Sequence, residues 1–201
     1  MTSEQTVFIV EDDAAVRDSL GVLLGLKGYR THSFANAEDF LRVYQPAWGG
    51  CLLLDIRMPG MSGLELQATL RDRGITLPVI MMTAHGDVPT VRTALKSGAL
   101  DFLEKPVDPE ALLATIRAAL DVDAAHRRAA QEAQAVEARF AKLTAREREV
   151  MDLIVTGCHN SEIAARLSIS PRTVEVHRAR VMEKFEIDSV VDLVRIAHNK
   201  V

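Results

Sequence analysis

Cys51-Leu52-Leu53-Leu54-Asp55-Ile56-Arg57-Met58-Pro59-Gly60-Met61-Ser62-Gly63 decides how this chain is read. A short apolar run leads into an aspartate, and a Pro/Gly turn follows at once. A run of that length bounded by turn residues reads as a buried strand. The acid after it is then presented at the strand's carboxyl end, the edge where open parallel α/β sheets bind their ligands.

Working outward, similar runs of β-branched and aliphatic residues occur at 7–10, 31–34, 79–82 and 100–103. Between them lie segments with helical spacing. Val16, Leu20, Leu23 and Leu24 form one apolar face, Leu64, Leu66 and Leu70 another, Val91, Ala94 and Leu95 a third. Leu112, Leu113, Ile116 and Leu120 follow the last run. Strand–helix alternation repeated five times predicts an α/β fold, a five-stranded parallel doubly wound (βα)5 sheet covered on both faces. The first, third and fourth runs are apolar without alternation, as central strands are. Residues 31–34, with His32 and Ser33, suit an edge.

The chain has 201 residues and a formal net charge of -4, enough length for one large domain or two small ones. Residues 1–123 carry 11 Lys+Arg against 17 Asp+Glu, whereas residues 142–201 carry 10 against 9. An acidic front and a nearly neutral back fit a two-part protein. No apolar run approaches the ~20 residues of a membrane helix, and the N-terminus lacks a signal-peptide pattern. The expectation is a cytoplasmic protein with no membrane partner. Cys51 and Cys158 stand far apart and read as packed, reduced thiols.

The expected division is a front domain at 1–122, a helical linker at 123–142 and a back domain at 143–201. The linker is rich in Ala, Gln, Glu and Arg, and a helix, whether separate or an extension of the preceding one, suits it better than a coil. From Leu143 everything is helical. Thr144 and Glu147 match a capping box, Gly157 ends that helix, and Ser170-Pro171 places an N-cap and a first-turn proline before a longer helix to about Lys184. Three or four helices in this space, with a short second one and a tight break before the third, form a helix-turn-helix, so the second domain is smaller and all-α.

The other strand ends in the front are also polar: Glu11-Asp12-Asp13, Thr83-Ala84 and Glu104-Lys105-Pro106. Parallel strands put all of them on one edge with Asp55. Clustered carboxylates repel unless a cation neutralises them, and oxygen-only ligands suit Mg²⁺ or its substitute Mn²⁺. A lysine pairs a phosphate as a point charge. Asp55 could then act as a nucleophile toward a phosphoryl donor. Asp13 reads as a helix cap.

With these residues in order, residues 5–120 and 143–198 resemble a FixJ/NarL-type two-component response regulator, a receiver domain followed by a LuxR-type helix-turn-helix. His85-Gly86-Asp87-Val88-Pro89 is similar to the FixJ branch. The resemblance implies that Asp55 accepts the phosphoryl group. Glu11, Asp12, Asp55 and the Arg57 backbone carbonyl would hold Mg²⁺. Thr83 would bind the phosphoryl group and shift inward, Lys105 would pair it, and the Lys105–Pro106 bond would be cis. Phe102 stands where the family carries a switching aromatic, although an aromatic there also suits plain core. A sensor histidine kinase, double-stranded promoter DNA, a homodimer of the phosphorylated form and RNA polymerase are the implied partners.

On the helix at 170–184, Val174, His177, Val181 and Phe185 share the face toward the bundle. The resemblance puts Glu175, Val176 and Ala179 nearest base edges, and Arg172, Thr173, Arg180 and Lys184 near phosphates, with Arg178 in either role. Two other readings stand beside this one. A Mg²⁺-dependent phosphatase would use Asp55, but Arg57 stands where its second acid would be. A protein-binding regulator would use the back bundle without touching DNA. The expectation is a transcription regulator that is not an enzyme beyond its own phosphorylation and slow dephosphorylation.

Overall fold

The structure, a computed structural model, describes residues 5–84, 92 and 94–198. Five strands, β1 (Thr6–Val10), β2 (Arg30–Phe34), β3 (Gly50–Asp55), β4 (Val79–Thr83) and β5 (Asp101–Glu104), form one parallel sheet in the order β2-β1-β3-β4-β5. Helices α1 (Ala14–Leu26), α2 (Ala37–Val43) and α3 (Gly63–Asp72) and the first part of the 33-residue α4 (Pro109–Ala141) cover it. Strand order reverses between β1 and β3, so their carboxyl ends flank a crevice.

Side chains alternate across a strand. Phe8, Val10, Leu52, Leu54 and Met81 therefore pack on one face with Phe40, Leu66 and Leu70. Val7, Ile9, Cys51, Leu53, Ile80 and Met82 pack on the other with Leu20, Leu24, Leu112, Ile116 and Leu120. A strand buried on both faces has no polar side to show, which is why β1, β3 and β4 read as unbroken apolar runs. Burial pushes the Cys51 thiol up to about 12, with the nearby Asp123 charge adding to it, so that thiol stays protonated.

Several expected boundaries move. The predicted strand at 100–103 starts and ends one residue later, because the ladder pairs Ile80 with Asp101 and Thr83 with Glu104. Leu100 donates its N–H to the Val79 carbonyl, but its side chain is 38% exposed. Hydrophobicity is a poor guide at this edge strand, where Leu103 alone is buried. Asp55 and Thr83 are the last residues within β3 and β4, not the first beyond them. The segment at 85–91 lies outside the described residues, and with it the His85–Pro89 motif and Val91.

The contact division of the chain falls after Arg128, giving units 1–128 and 129–201. Residues 123–128, read as the start of a linker, thus belong to the front unit, and α4 passes through the division without a break. The cause is polar. Asp123, 4% exposed, accepts the Gly50 N–H at 2.9 Å. Arg127 donates to the carbonyls of Ala47 at 3.1 Å and Trp48 at 2.9 Å. Gly50 itself has φ 141°, and a Cβ there would lie 1.8 Å from the Thr6 carbonyl oxygen.

The back unit continues with α5 (Ala145–Val155), α6 (Asn160–Leu167), α7 (Pro171–Phe185) and α8 (Val190–His198). Thr144 and Glu147 form the capping box that the sequence predicts, and Ser170 caps α7 ahead of Pro171. Phe140, Val150, Ile154, Ile163, Val174, Val181, Phe185 and Leu193 make the core. Phe140 meets Phe185 edge to face at 4.9 Å between ring centres. Among the described residues no helix is long and apolar enough to cross a membrane.

Candidate functional site

Glu11 follows β1 directly, and its N–H bonds the Phe34 carbonyl at 3.1 Å, continuing the ladder. Its carboxylate is fully buried, and Asp55 is 6% exposed. Lys105, reaching in from the end of β5, sets its Nζ 2.7 Å from Glu11 Oε2 and 3.0 Å from Asp55 Oδ2. Backbone N–H groups complete the pair: Asp13 donates to Glu11 Oε1 and Arg57 to Asp55 Oδ1, both at 3.3 Å. The Arg57 side chain is exposed. The Lys105–Pro106 bond is cis.

Asp12 and Asp13 separate sharply in role. Asp13 caps α1, accepting from Ala15 at 2.8 Å and Val16 at 3.2 Å. Asp12 is exposed, with its backbone carbonyl held by Arg17. Glu11, Asp12 and Asp55 each bring a carboxylate oxygen within 4.8 Å of the others.

Burial raises the Glu11 carboxyl above its ordinary range. Lys105 works against that, and the Asp55 charge adds to it. Burial alone would lower the Lys105 ammonium, but its bonds to Glu11 and Asp55 outweigh this and hold it raised. One lysine therefore neutralises part of a three-carboxylate cluster. Hard oxygen donors with uncompensated negative charge fit a small divalent cation, which takes one or two carboxylates and keeps several waters. The residues present fit Mg²⁺ or Mn²⁺.

Thr83 is 2% exposed at the end of β4, and its carbonyl accepts the Lys105 N–H at 2.8 Å, tying these two strand ends together. Phe102 pairs in register with Met81 and is half-buried against the α2/α3-side core, so it is neither surface nor fully packed. The loop after Asp55 has two supports that local sequence reading missed. Glu38 on α2 accepts the Met61 N–H at 3.1 Å. Gly63 opens α3 so close to Asp55 that a Cβ would lie 2.2 Å from the Asp55 carbonyl oxygen.

On α7, Arg172, Glu175, Ala179 and Arg180 are exposed, and Val176 is 41% exposed despite being apolar. Arg172 pairs with Glu175 at 3.2 Å, one turn on. The remaining three expected DNA contacts have structural partners. Thr173 is half-buried, and its hydroxyl meets the Ser170 hydroxyl at 2.8 Å within the cap. Arg178 donates to Asn160 Oδ1 at 2.9 Å, tying α7 to α6. Lys184 is tied within the back unit as well. Its Nζ lies 2.6 Å from Glu147 Oε2 and 2.9 Å from the Lys142 carbonyl. A buried carboxylate thus pairs with this lysine, whose own side chain is 30% exposed. His177 faces inward as expected, and its Nδ1 has no partner among the described residues.

Comparison with known proteins agrees with this arrangement. Residues 7–117 match the response regulator receiver domain, and residues 141–197 match the bacterial regulatory proteins of the luxR family. The chain is 46% identical to the transcriptional regulatory protein FixJ of Azorhizobium caulinodans, over 98% of this chain and 93% of that one. It is 39% identical to the response regulator protein TmoT of Ectopseudomonas mendocina, over 96% of this chain and 88% of that one. The solved structure of response regulator StyR matches with TM-score 0.91 at 41% identity, covering 98% of this chain and 99% of that one. Full-length FixJ from B. japonicum matches with TM-score 0.59 at 40% identity, covering 98% and 97%.

Proposed function

Because this chain belongs to the two-component response regulators that join a receiver domain to a LuxR-type DNA-binding domain, we propose that Asp55 is its phosphoryl acceptor and the input of a DNA-binding switch. The observation that carries this reading is the single lysine spanning Glu11 and Asp55 at the carboxyl edge, beside the buried Thr83.

An Asp55 carboxylate oxygen attacks the phosphorus of a phosphohistidine on a sensor kinase. The new O–P bond forms as the N–P bond breaks, and the imidazole leaves with the bonding pair. Lys105 is already desolvated and within bonding distance of Asp55, so it can pair a phosphoryl oxygen with little reorganisation. The Thr83 hydroxyl, on the neighbouring strand, would follow as a second donor, and half-buried Phe102 would respond to that shift. Mg²⁺ or Mn²⁺ held by Glu11, Asp12, Asp55 and the Arg57 carbonyl would neutralise the phosphoryl charge. The product is an acyl phosphate retained as a signal, with no external substrate turned over.

The output side rests on α7. Val176 and Ala179 face out with Glu175 and Arg180, the composition of a base-reading face flanked by phosphate contacts. Phosphorylation favours a receiver homodimer, so that two recognition helices address two half-sites of promoter DNA, where RNA polymerase is engaged, in the cytoplasm. The test is promoter-DNA affinity with and without acetyl phosphate. Wild type should tighten and Asp55→Ala should not; equally tight binding by both would exclude the switch.

A further inference from the structure

The turn after Asp55 is held by a residue that belongs neither to the acidic cluster nor to the turn itself. Glu38 lies in the first turn of α2. Its Oε1 accepts the Met61 N–H at 3.1 Å. Gly60, at φ 76°, makes room for the carboxylate: a Cβ there would stand 2.9 Å from Glu38 Oε1 and 3.8 Å from Oε2. The carboxyl group therefore lies against the Gly60 α-carbon while it takes the next residue's N–H.

Both ends of the turn have supports of their own. Ile56 donates to the Met82 carbonyl and accepts the Gly63 N–H, each at 3.0 Å. Ser62 donates its N–H to Glu65 at 2.9 Å within the α3 capping box. Between these ends only Met58 is buried, while Arg57, Pro59 and Gly60 are exposed. Pro59 has no N–H to give. Among the described residues, the Glu38–Met61 bond is the hydrogen bond that ties 58–61 to another element. A first-turn acid ordinarily favours the amino end of its own helix. That role requires neither the glycine at 60 nor the bond to Met61.

We propose that Glu38 is a positioning residue for the phosphoryl site: by clasping Gly60 and Met61 it fixes the turn that presents the Arg57 carbonyl, and so raises affinity for the divalent cation. This rests on the reading of Glu11, Asp12, Asp55 and the Arg57 carbonyl as the metal ligands. Groups that orient a metal's ligands typically contribute ~10–100-fold in affinity. Glu38 acts through the backbone of an otherwise exposed turn, which places it at the low end, about tenfold.

Two conservative variants at this exposed helix position separate reach from charge. Glu38→Asp keeps the charge but is one methylene short of Met61. Glu38→Gln loses the charge but keeps an acceptor oxygen on the full stem. Mn²⁺ binding to the full chain is followed by the electron paramagnetic resonance signal of the free ion, which requires no phosphoryl transfer. Glu38→Asp should bind Mn²⁺ about tenfold more weakly than wild type, and Glu38→Gln within about twofold of it. Peptide-resolved hydrogen exchange should speed up across 56–62 in Glu38→Asp and not in Glu38→Gln, with the β-sheet peptides unchanged; a general loss of stability would speed both regions. Asp12→Ala tests the underlying reading. If it leaves Mn²⁺ affinity unchanged, or if wild type binds no Mn²⁺, the ligand assignment fails and this proposal with it. If Asp12→Ala weakens binding while Glu38→Asp matches wild type, or if Glu38→Gln weakens it as much as Glu38→Asp, the clasp alone is overturned.

Discussion

Replacing Glu147 with glutamine should loosen the back unit measurably while leaving its helix cap in place. The Glu147 side chain is 3% exposed and receives Lys184 at 2.6 Å. It also accepts the Thr144 N–H at 2.8 Å, a bond that a glutamine oxygen retains. The Lys184 bond first, then the Thr144 bond, hold the carboxyl down from its ordinary 4.5 to about 2, against the opposing effect of burial. Taken whole, that depression would correspond to ~3 kcal/mol at neutral pH. Lys184 is 30% exposed, however, so solvent screens the pair. About 1–2 kcal/mol is the loss to expect.

The folded carboxyl titrates lower than the unfolded one. Its stabilisation is therefore complete above 4.5 and disappears as pH falls toward about 2. Peptide-resolved hydrogen exchange on the full chain reads this. Amides of α5 and α7 should exchange ~5–30-fold faster in Glu147→Gln at neutral pH. After correction for intrinsic rates, the gap should narrow in acid. Peptides from the β-sheet unit are the internal control. Wild-type exchange in α5 and α7 would refute the assignment of Lys184 to Glu147, and so would a gap that persists unchanged into strong acid.

The same assignment separates two basic residues of α7. Arg180→Ala should weaken DNA binding across sequences and reduce the slope of log affinity against log salt by about one. Lys184→Met should leave that slope alone and speed exchange as Glu147→Gln does, which a salt titration beside hydrogen exchange would check. At Asp123, burial raises the carboxyl, and the Gly50 N–H, Arg127 and His126 offset it only in part. A raised folded value means this contribution is full below the ordinary 3.8 and is lost as pH rises from there through the higher folded value. Asp123→Asn keeps an acceptor without a charge, so it should melt above wild type at neutral pH and converge with it in acid, followed by circular dichroism.

The sheet and its acidic edge were legible because both leave local marks. A central strand buried on two faces must be apolar throughout, and polar residues at four successive strand ends cannot be explained by packing. The helix caps were legible for the same reason, since a cap and its partner lie three residues apart. What escaped were contacts made across the chain. Asp123 and Gly50 are 73 residues apart, and the group Asp123 binds is a backbone N–H that every position but proline carries. Composition marked residues 123–142 as helix but held no sign of which unit their first turns join. The Lys184 ion pair escaped because its partner, 37 residues away, announced itself only as a cap. At β5 one buried leucine was too little to fix an end.

Position 50 illustrates how mutational tolerance can part from chemistry. Its backbone lies in the left-handed half of conformational space, and any side chain would meet the Thr6 carbonyl oxygen. Gly50 titrates nothing, binds no metal and faces no DNA. Yet it begins the strand that ends in Asp55, and its N–H is the one that Asp123 accepts. Saturation mutagenesis scored on promoter output should return an alphabet of one letter here, a stricter demand than at Asp12, which stands exposed. A tolerance map of this protein would thus rank as indispensable a residue that no inventory of reactive groups contains.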